Sequence, residues 1–251
     1  MSPVSTPLYL DWSFWAVVVA AIAIILSQIP PIHILLKKAR IDFELYSKIS
    51  ITHKVGNPNL ELHLIITNIG GRKVRVKDIK ASIERDGKSI VTLPAQNYLQ
   101  NQNDQNYVLF TTFSLKPNDE WAHIVNFLNF FGREDEKEYR DLEGKMLADY
   151  RDKRSKLLEE PTSPIELNPE LVKSSHDFFK KHFIWSVGEY LMKVNIITDQ
   201  ESGNITKIFR FTVFESHAEQ LKAITDDFKY GGGIWWDKKT PTNVILEISE
   251  A

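Results

Sequence analysis

An apolar run close to the N-terminus is the feature that most constrains this chain. Residues 12–29 read WSFWAVVVAAIAIILSQI and contain no Asp, Glu, Lys or Arg. An α-helix rises about 1.5 Å per residue, so roughly twenty such residues cross the hydrocarbon core of a bilayer. Apolar residues continue beyond Pro30-Pro31 to Leu36. The sequence therefore predicts a transmembrane anchor over residues 12–36, preceded by a short flank, residues 1–11.

The predicted anchor has the composition of a helix that spans a membrane. Hydrophobic side chains fill its centre, tryptophans suit one membrane interface, and basic side chains mark the other. The anchor residues are Trp12, Trp15, Val18, Ile22, Ile25, Leu26, Lys37, Lys38 and Arg40. Since basic flanks stay on the cytoplasmic side of a membrane, we expect the N-terminus outside and the large C-terminal domain in the cytoplasm.

Two other interpretations of the apolar run stay open. A cleaved signal peptide has a basic region before its apolar stretch and a small-residue cleavage site after it. Here only Asp11 carries a charge before the run, and the sequence Ser-Gln-Ile-Pro-Pro at its end is a poor cleavage site. A helix buried in a protein core is the second alternative, and the absence of any polar face weighs against it.

Composition and motifs exclude several classes of protein. The chain has no cysteine, so no disulfide framework can form, which is compatible with a reducing compartment. Its formal net charge is −2, so no overall field favours nucleic acid. The sequence contains no phosphate-binding glycine loop, nucleotide fingerprint or paired-histidine metal motif. We therefore expect no cofactor, no metal and no catalytic residues.

Alternating apolar and polar residues dominate the chain beyond the anchor. Between residues 41 and 53 apolar side chains alternate with polar ones, as a half-buried strand requires. The alternation slips between Val76 and Ile79, which suggests a β-bulge or a strand break, and Asp86-Gly87 predicts a two-residue hairpin. Short strands at roughly ten-residue spacing favour an immunoglobulin-like β-sandwich. We expect a mainly β domain over residues 41–251 with helical insertions (α+β).

The periodicity becomes helical between about residues 133 and 183. The first helix of this insertion is rich in charges of both signs and carries a stripe formed by Tyr139, Leu142 and Met146. Asn168-Pro169 predicts the start of a second helix, with asparagine as its N-cap. The charged helix is a candidate arm for a partner or for oligomerisation; a solvated helix that only covers the sheet is the alternative.

The string Gly-Gly-Gly-Ile-Trp-Trp at residues 231–236 is the most unusual short motif. Three glycines free the backbone, and adjacent tryptophans are costly to leave in water. The motif either contacts a membrane or a partner, or it ends a helix and packs its aromatic rings into the core. We assign the candidate interaction surface to Tyr139, Leu142, Met146, Trp235 and Trp236.

Two weaker chemical candidates remain. Glu189 beside Tyr190 is a candidate general acid, but such a group needs a partner within hydrogen-bond reach, which the sequence does not place. Trp121 and His123 share one face of a predicted strand, where they either line an aromatic pocket or pack in the core.

These features favour a binding or scaffolding protein and not an enzyme. We expect a single-pass membrane protein that presents its β-sandwich domain at the cytoplasmic face, with the lipid bilayer and a protein as partners. Homo-oligomerisation is an open alternative, and nucleic acid is not expected. Two other functions stay open: an effector whose oligomerisation perturbs the bilayer, and a membrane-tethered hydrolase that uses Glu189 or a histidine.

Overall fold

The computed structural model describes residues 12–28, 38–101, 104, 106–157, 163–236 and 243–251. Its helices are α1 (Trp12–Gln28), α2 (Arg133–Ser155), α3 (Pro169–His182) and α4 (Glu215–Lys222), with short 3₁₀ segments over Glu201–Gly203 and Ala223–Tyr230. Its strands are β1 (Ile41–Lys54), β2 (Asn57–Asn68), β3 (Val74–Arg85), β4 (Lys88–Leu99), β5 (Tyr107–Leu109), β6 (Phe113–Leu115), β7 (Glu120–Leu128), β8 (Gly188–Thr198), β9 (Ile205–Val213), β10 (Val244–Glu247) and β11 (Ser249–Glu250).

The strands form one antiparallel sheet that nearly closes on itself. Neighbouring strands follow the order β10-β1-β2-β7-β4-β3-β8-β9-β11, with β5 paired to β4 and β6 to β3. Strand β4 pairs with β3 through its first half and with β7 through its second, so it joins the two halves of the sheet. The prediction of a mainly β domain with helical insertions is confirmed. The finer prediction of an immunoglobulin-like sandwich stays a prediction.

The last strands bring the two ends of the sheet together. Strand β10 pairs with β1, where Lys48 faces Glu247, and β11 pairs with β9, where Ser249 faces Arg210. Only Ile248 separates β10 from β11, so a single C-terminal segment contacts both ends of the sheet. The C-terminal segment therefore links the two ends of the nearly closed sheet.

Local turn chemistry appears as the sequence predicts. Asp86 and Gly87 have φ values of 52° and 72°, as a two-residue hairpin of this type requires. The register between β3 and β8 shifts between Val76 and Asp78, at the position of the predicted slip, and β3 continues through it as one strand. Inward residues of every long strand form one core, whose largest fully buried side chains include Trp185 and Tyr190.

Helices α2 and α3 and the 3₁₀ segment Ala223–Tyr230 form a second, smaller core at one end of the sheet, which we call the helical layer. The β1–β2 turn at Val55-Gly56 reaches into this layer, and a Cβ at Gly56 would lie 2.6 Å from the carbonyl oxygen of Phe179 in α3. Val55 itself is buried at φ 48°, a strained value for a β-branched residue. Since Ile41 pairs with Asn68 at the opposite end of the same two strands, the helical layer lies far from residue 41.

Helix α1 covers the first part of the predicted anchor. It has 17 residues, whereas residues 29–36 of the predicted anchor and the basic flanking residue Lys37 lie outside the described part of the chain. Among the residues that the structure describes, no helix is both long enough and apolar enough to cross a membrane. A transmembrane span over residues 12–36 is therefore not supported by the fold, which contributes only the apolar helix.

Candidate interaction surfaces

Helix α1 exposes its apolar side chains. Trp12 is 89% exposed, and Val17 and Ile24 are 68% and 64% exposed. A helix packed into the sheet would bury at least one side, so this placement argues against a core helix. Of the remaining predicted anchor residues in the described chain, Trp15, Ile22, Ile25, Leu26, Lys38 and Arg40 are exposed and Val18 is half-buried.

The predicted stripe on α2 is occupied by contacts within the chain. Tyr139, Leu142 and Met146 are all buried. The Tyr139 hydroxyl donates a hydrogen bond of 2.7 Å to the carbonyl oxygen of Ile234. The Ser175 hydroxyl of α3 lies 3.0 Å from the Met146 sulfur. These three side chains hold the helical layer together in the folded chain, so they do not present an open surface.

The paired tryptophans behave differently from each other. Trp235 is half-buried, and its ring lies 6.1 Å from that of Tyr150 on α2. Trp236 is 40% exposed, although its indole Nε1 donates a hydrogen bond to the carbonyl oxygen of Tyr230. Trp236 is therefore the member of the predicted interaction surface whose ring remains open to a partner.

The glycines of the same motif are required by close packing. Gly231 has φ 83°, and a Cβ there would lie 2.1 Å from atoms of the Trp235 ring. Gly233 also has a positive φ, of 76°. The glycine run thus lets the backbone pass directly beneath an indole, which is a structural role.

We expect Gly231→Ala to destabilise the helical layer by about 3 kcal/mol. A left-handed conformation costs a residue with a Cβ about 1–2 kcal/mol, and overpacking adds about 1–3 kcal/mol. Gly87→Ala is the matched control, because Gly87 has φ 72° and a Cβ added there would meet no other atom within 4 Å. Urea unfolding of both variants measures the difference. Equal losses of stability would show that Trp235 does not press on Gly231.

His53 connects the sheet to the helices. Its Nδ1 accepts a hydrogen bond of 3.2 Å from the Gly56 backbone N–H, so Nε2 carries the proton and donates to the Leu221 carbonyl oxygen at 2.8 Å. The ring packs against Phe179 and Phe183, with centroids 5.1 and 5.5 Å away. Burial lowers the pKa of His53, and the contact with Leu221 opposes this only in part. The folded chain therefore favours the neutral form of the His53 ring over the protonated form.

The stability of the folded chain should fall as the pH drops below about 6.5. A histidine with a lowered pKa takes up its proton more easily in the unfolded chain, so its contribution is complete above the unfolded pKa and is lost below it. Burial also lowers the pKa of His182, which lies 3.7 Å from Asp135. Each histidine adds a slope of up to about 1.4 kcal/mol per pH unit.

Urea unfolding between pH 7.5 and 5.5 measures this slope. His53→Gln should reduce the slope, and the double variant with His182→Gln should reduce it further. Carboxylates with lowered pKa values, such as Asp42 and Asp149, titrate at a more acidic pH. They therefore do not contribute to the slope of the unfolding free energy between pH 7.5 and 5.5. A slope unchanged in both variants would contradict the assignment.

The nearly closed sheet leaves a cleft between the first half of β1 and β9. Lys207 of β9 bridges it, because its Nζ donates to the Phe43 carbonyl oxygen at 2.6 Å and pairs with Asp42 at 2.9 Å. The hydrogen bond from Lys207 holds the pKa of Asp42 below its ordinary value. The cleft has a volume of about 290 Å³. Its lining includes Phe43, Leu45, Phe209 and Ile248. Sequence reasoning missed this cleft.

Glu189, the candidate general acid, lies on the surface of the described part of the chain. Glu189 is exposed on β8, and within the described residues its carboxylate makes no hydrogen bond or ion pair. The neighbouring Tyr190 hydroxyl donates to backbone carbonyl oxygens of Ile184 and Ser186, a structural contact. No group of three His, Asp or Glu residues in the described chain is placed to hold a metal ion.

Trp121 and His123 belong to a half-buried cluster of aromatic rings. The Trp121 ring stacks on Phe113 with centroids 4.5 Å apart, and His123 lies 4.6 Å from Trp121. Tyr98 contacts both Trp121 and His123. The rings therefore pack against one another between the strands.

No protein-family model matches the chain, and no curated protein matches it significantly in sequence. Its function must therefore be argued from its own residues.

Proposed function

We propose that this chain is a single-pass membrane protein that presents its β domain as a binding or scaffolding module at the cytoplasmic face. The observation that carries the proposal is the exposure of the apolar side chains of α1. Transfer of these side chains from water to hydrocarbon is favourable, whereas two arginines or lysines in such a segment would oppose it. A lipid bilayer surrounds an apolar helix on all sides. Packing against a face of the sheet would cover only one side of the helix.

The length of the apolar segment supports a span when the sequence beyond α1 is included. Seventeen helical residues are about 26 Å long, slightly less than the roughly 30 Å of the hydrocarbon core. Apolar residues continue in the sequence up to Leu36, and Lys38 and Arg40 follow. A segment of this length and polarity suits one passage through a bilayer, with its basic flank on the cytoplasmic side.

The binding role is supported by the far end of the domain. Phe130 is 71% exposed just beyond β7, and Trp236 is 40% exposed beside the helical layer. Exposed aromatic rings are enriched where proteins bind each other. Confinement of the domain to a membrane raises its effective concentration near partners that are also at the membrane. We therefore place the protein partner at this end of the domain.

Intact-mass analysis and protease protection in sealed vesicles test the proposal together. The expected mature protein retains residues 12–29, and the β domain is digested only from the cytoplasmic side. A mature chain without these residues would show that they are a signal peptide. A β domain that is digested only from the opposite side would contradict the proposed orientation.

A photo-crosslinking amino acid at Trp236 tests the binding surface. We expect a discrete protein adduct from this position in membranes, and none from Lys88 at the exposed β3–β4 hairpin. Adducts of the same size from both positions would indicate that the contact is not specific to the surface around Trp236.

A further inference from the structure

The linker that follows the predicted anchor is fixed against the β2–β3 connection. A Cβ at Gly70 would lie 2.6 Å from the Lys38 carbonyl oxygen and 2.6 Å from the Arg40 backbone nitrogen. Ala39, between them, is 1% exposed and belongs to the sheet core. Backbone packing this close is available only to glycine at position 70. The chain therefore enters the sheet at a defined point directly beside Gly70.

A buried asparagine holds the β2–β3 connection in shape. Asn68 is fully buried, and its Oδ1 accepts a hydrogen bond of 3.0 Å from the Gly70 backbone N–H. Its Nδ2 donates to the carbonyl oxygens of Arg72 at 2.8 Å and Leu115 at 3.0 Å. These contacts fix the connection before any partner binds. Binding at this loop would thus cost little ordering entropy.

The linker and the connection present one apolar side chain among basic ones. Ile69 is 44% exposed at the tip. The exposed basic residues around it in these two segments are Lys38, Arg40, Arg72 and Lys73. Neither residues 38–41 nor residues 68–77 contain an acidic side chain. We call Lys38, Arg40, Ile69 and Lys73 the linker patch.

Acidic residues at the same end of the sheet lie on neighbouring loops. The Asp119 carboxylate accepts a hydrogen bond from the Lys116 backbone N–H at 2.8 Å. The Asp199 carboxylate accepts one from the Arg75 backbone N–H at 2.9 Å. Glu201 is exposed nearby on the β8–β9 connection. The Asp119 and Asp199 carboxylates stabilise their own loops. Asp42 lies close enough to Arg40 for the two charges to interact, but its direct partner is Lys207 at 2.9 Å.

We propose that the linker patch docks on the anionic headgroups of the membrane that holds α1. Its basic side chains would contact lipid phosphates, and Ile69 would reach the level of the headgroups. The inference rests on the proposed membrane anchor, because Lys38 is only the second residue after the predicted span. Charge complementarity selects the occupant: a basic surface near a bilayer attracts anionic lipid by a factor of about five per Lys or Arg.

Docking of this kind sets the orientation of the whole domain. The linker patch lies where β1 begins and β2 ends, whereas the helical layer lies at the β1–β2 turn. A domain that rests on the linker patch therefore directs Trp236 and the helices away from the bilayer. The partner surface of the proposed function is then accessible from the cytoplasm.

Site-directed labelling of the full chain tests the docking. The chain has no cysteine, so Ile69→Cys and Lys88→Cys each carry a single nitroxide label at opposite ends of the sheet. Each protein is reconstituted into vesicles of phosphatidylcholine alone or with added phosphatidylserine. Flotation of the vesicles reports the anchor, and collision of the label with a water-soluble paramagnetic reagent reports its depth. Thermal unfolding confirms that each labelled protein is folded.

We expect the label at position 69 to be shielded from the aqueous reagent in anionic vesicles and the label at 88 to stay accessible. Arg40→Glu with Lys73→Glu should abolish the shielding while flotation persists, whereas the control pair Lys137→Glu with Lys145→Glu on α2 should leave it intact. Equal accessibility at 69 and 88 in floating vesicles would overturn the docking and leave the anchor standing. Shielding that is equal in neutral vesicles would overturn the anionic specificity. Absence of flotation would overturn both proposals.

Discussion

Replacing both Ile22 and Ile25 by arginine is expected to release the full chain from membranes. Each arginine near the centre of a membrane helix costs about 2.5–3.5 kcal/mol. The pair therefore costs about 6 kcal/mol, which lowers membrane partition by a factor of about 10⁴. Flotation of vesicles with the bound protein measures the loss. Both side chains are exposed in α1, so the β domain should remain folded.

The matched control places arginine at an exposed isoleucine outside α1. Ile245 on β10 is 63% exposed, and Ile245→Arg should leave flotation unchanged. If the double variant in α1 floats as well as the wild type, the apolar helix does not hold the chain at the membrane. If Ile245→Arg also abolishes flotation, the β domain itself provides the contact.

Trp185→Ala is expected to cost the β domain about 4 kcal/mol of unfolding free energy. The side chain is fully buried, and its indole Nε1 donates a hydrogen bond of 2.9 Å to the Thr52 carbonyl oxygen. Its ring lies 6.0 and 6.3 Å from those of Tyr190 and Phe211. Removal of a buried aromatic side chain leaves a cavity and typically costs about 3–5 kcal/mol. Urea unfolding of the detergent-solubilised chain measures the loss.

Two further substitutions separate the causes of this loss. Trp185→Phe keeps an aromatic ring but removes the donor to Thr52, so about 1–2 kcal/mol should be lost. Trp236→Ala removes a partly exposed tryptophan and should cost less than Trp185→Ala. A loss for Trp236→Ala that equals the loss for Trp185→Ala would mean that Trp236 belongs to the core and not to a partner surface.

The strands and tight turns were predictable because their signals are local. Alternation of apolar and polar residues determines which face of a strand is buried, and Asp86-Gly87 determines a hairpin through its backbone conformation alone. The order of strands in the sheet was not predictable from such signals. Pairing of β10 with β1 joins residues almost two hundred positions apart, and no local pattern encodes that choice.

The sequence correctly located the apolar stripe of α2, but it did not predict which part of the chain covers that stripe. Spacing places Tyr139, Leu142 and Met146 on one face of a helix, and the structure buries all three. Periodicity cannot tell whether a stripe meets another protein or the same chain. Here α3 and the loop at Ile234 cover it, through contacts such as the hydrogen bond from Tyr139.

The linker patch was only half visible in the sequence. Lys38 and Arg40 follow the apolar run closely in the sequence, and a membrane-spanning run predicts that such basic residues lie at the membrane surface. Ile69 and Lys73 join them because Gly70 packs against the linker and Asn68 holds the loop. These contacts depend on three-dimensional proximity, since a Gly-Gly pair in the sequence indicates only a turn.

Sedimentation of the wild-type chain tests whether the apolar N-terminal helix holds a β domain at a lipid bilayer. Membranes from cells that make the full chain are washed with alkaline carbonate and centrifuged without detergent. We predict that the intact chain stays in the pellet and enters the supernatant only when detergent is added. Intact chain in the supernatant after the carbonate wash would contradict the proposed anchor.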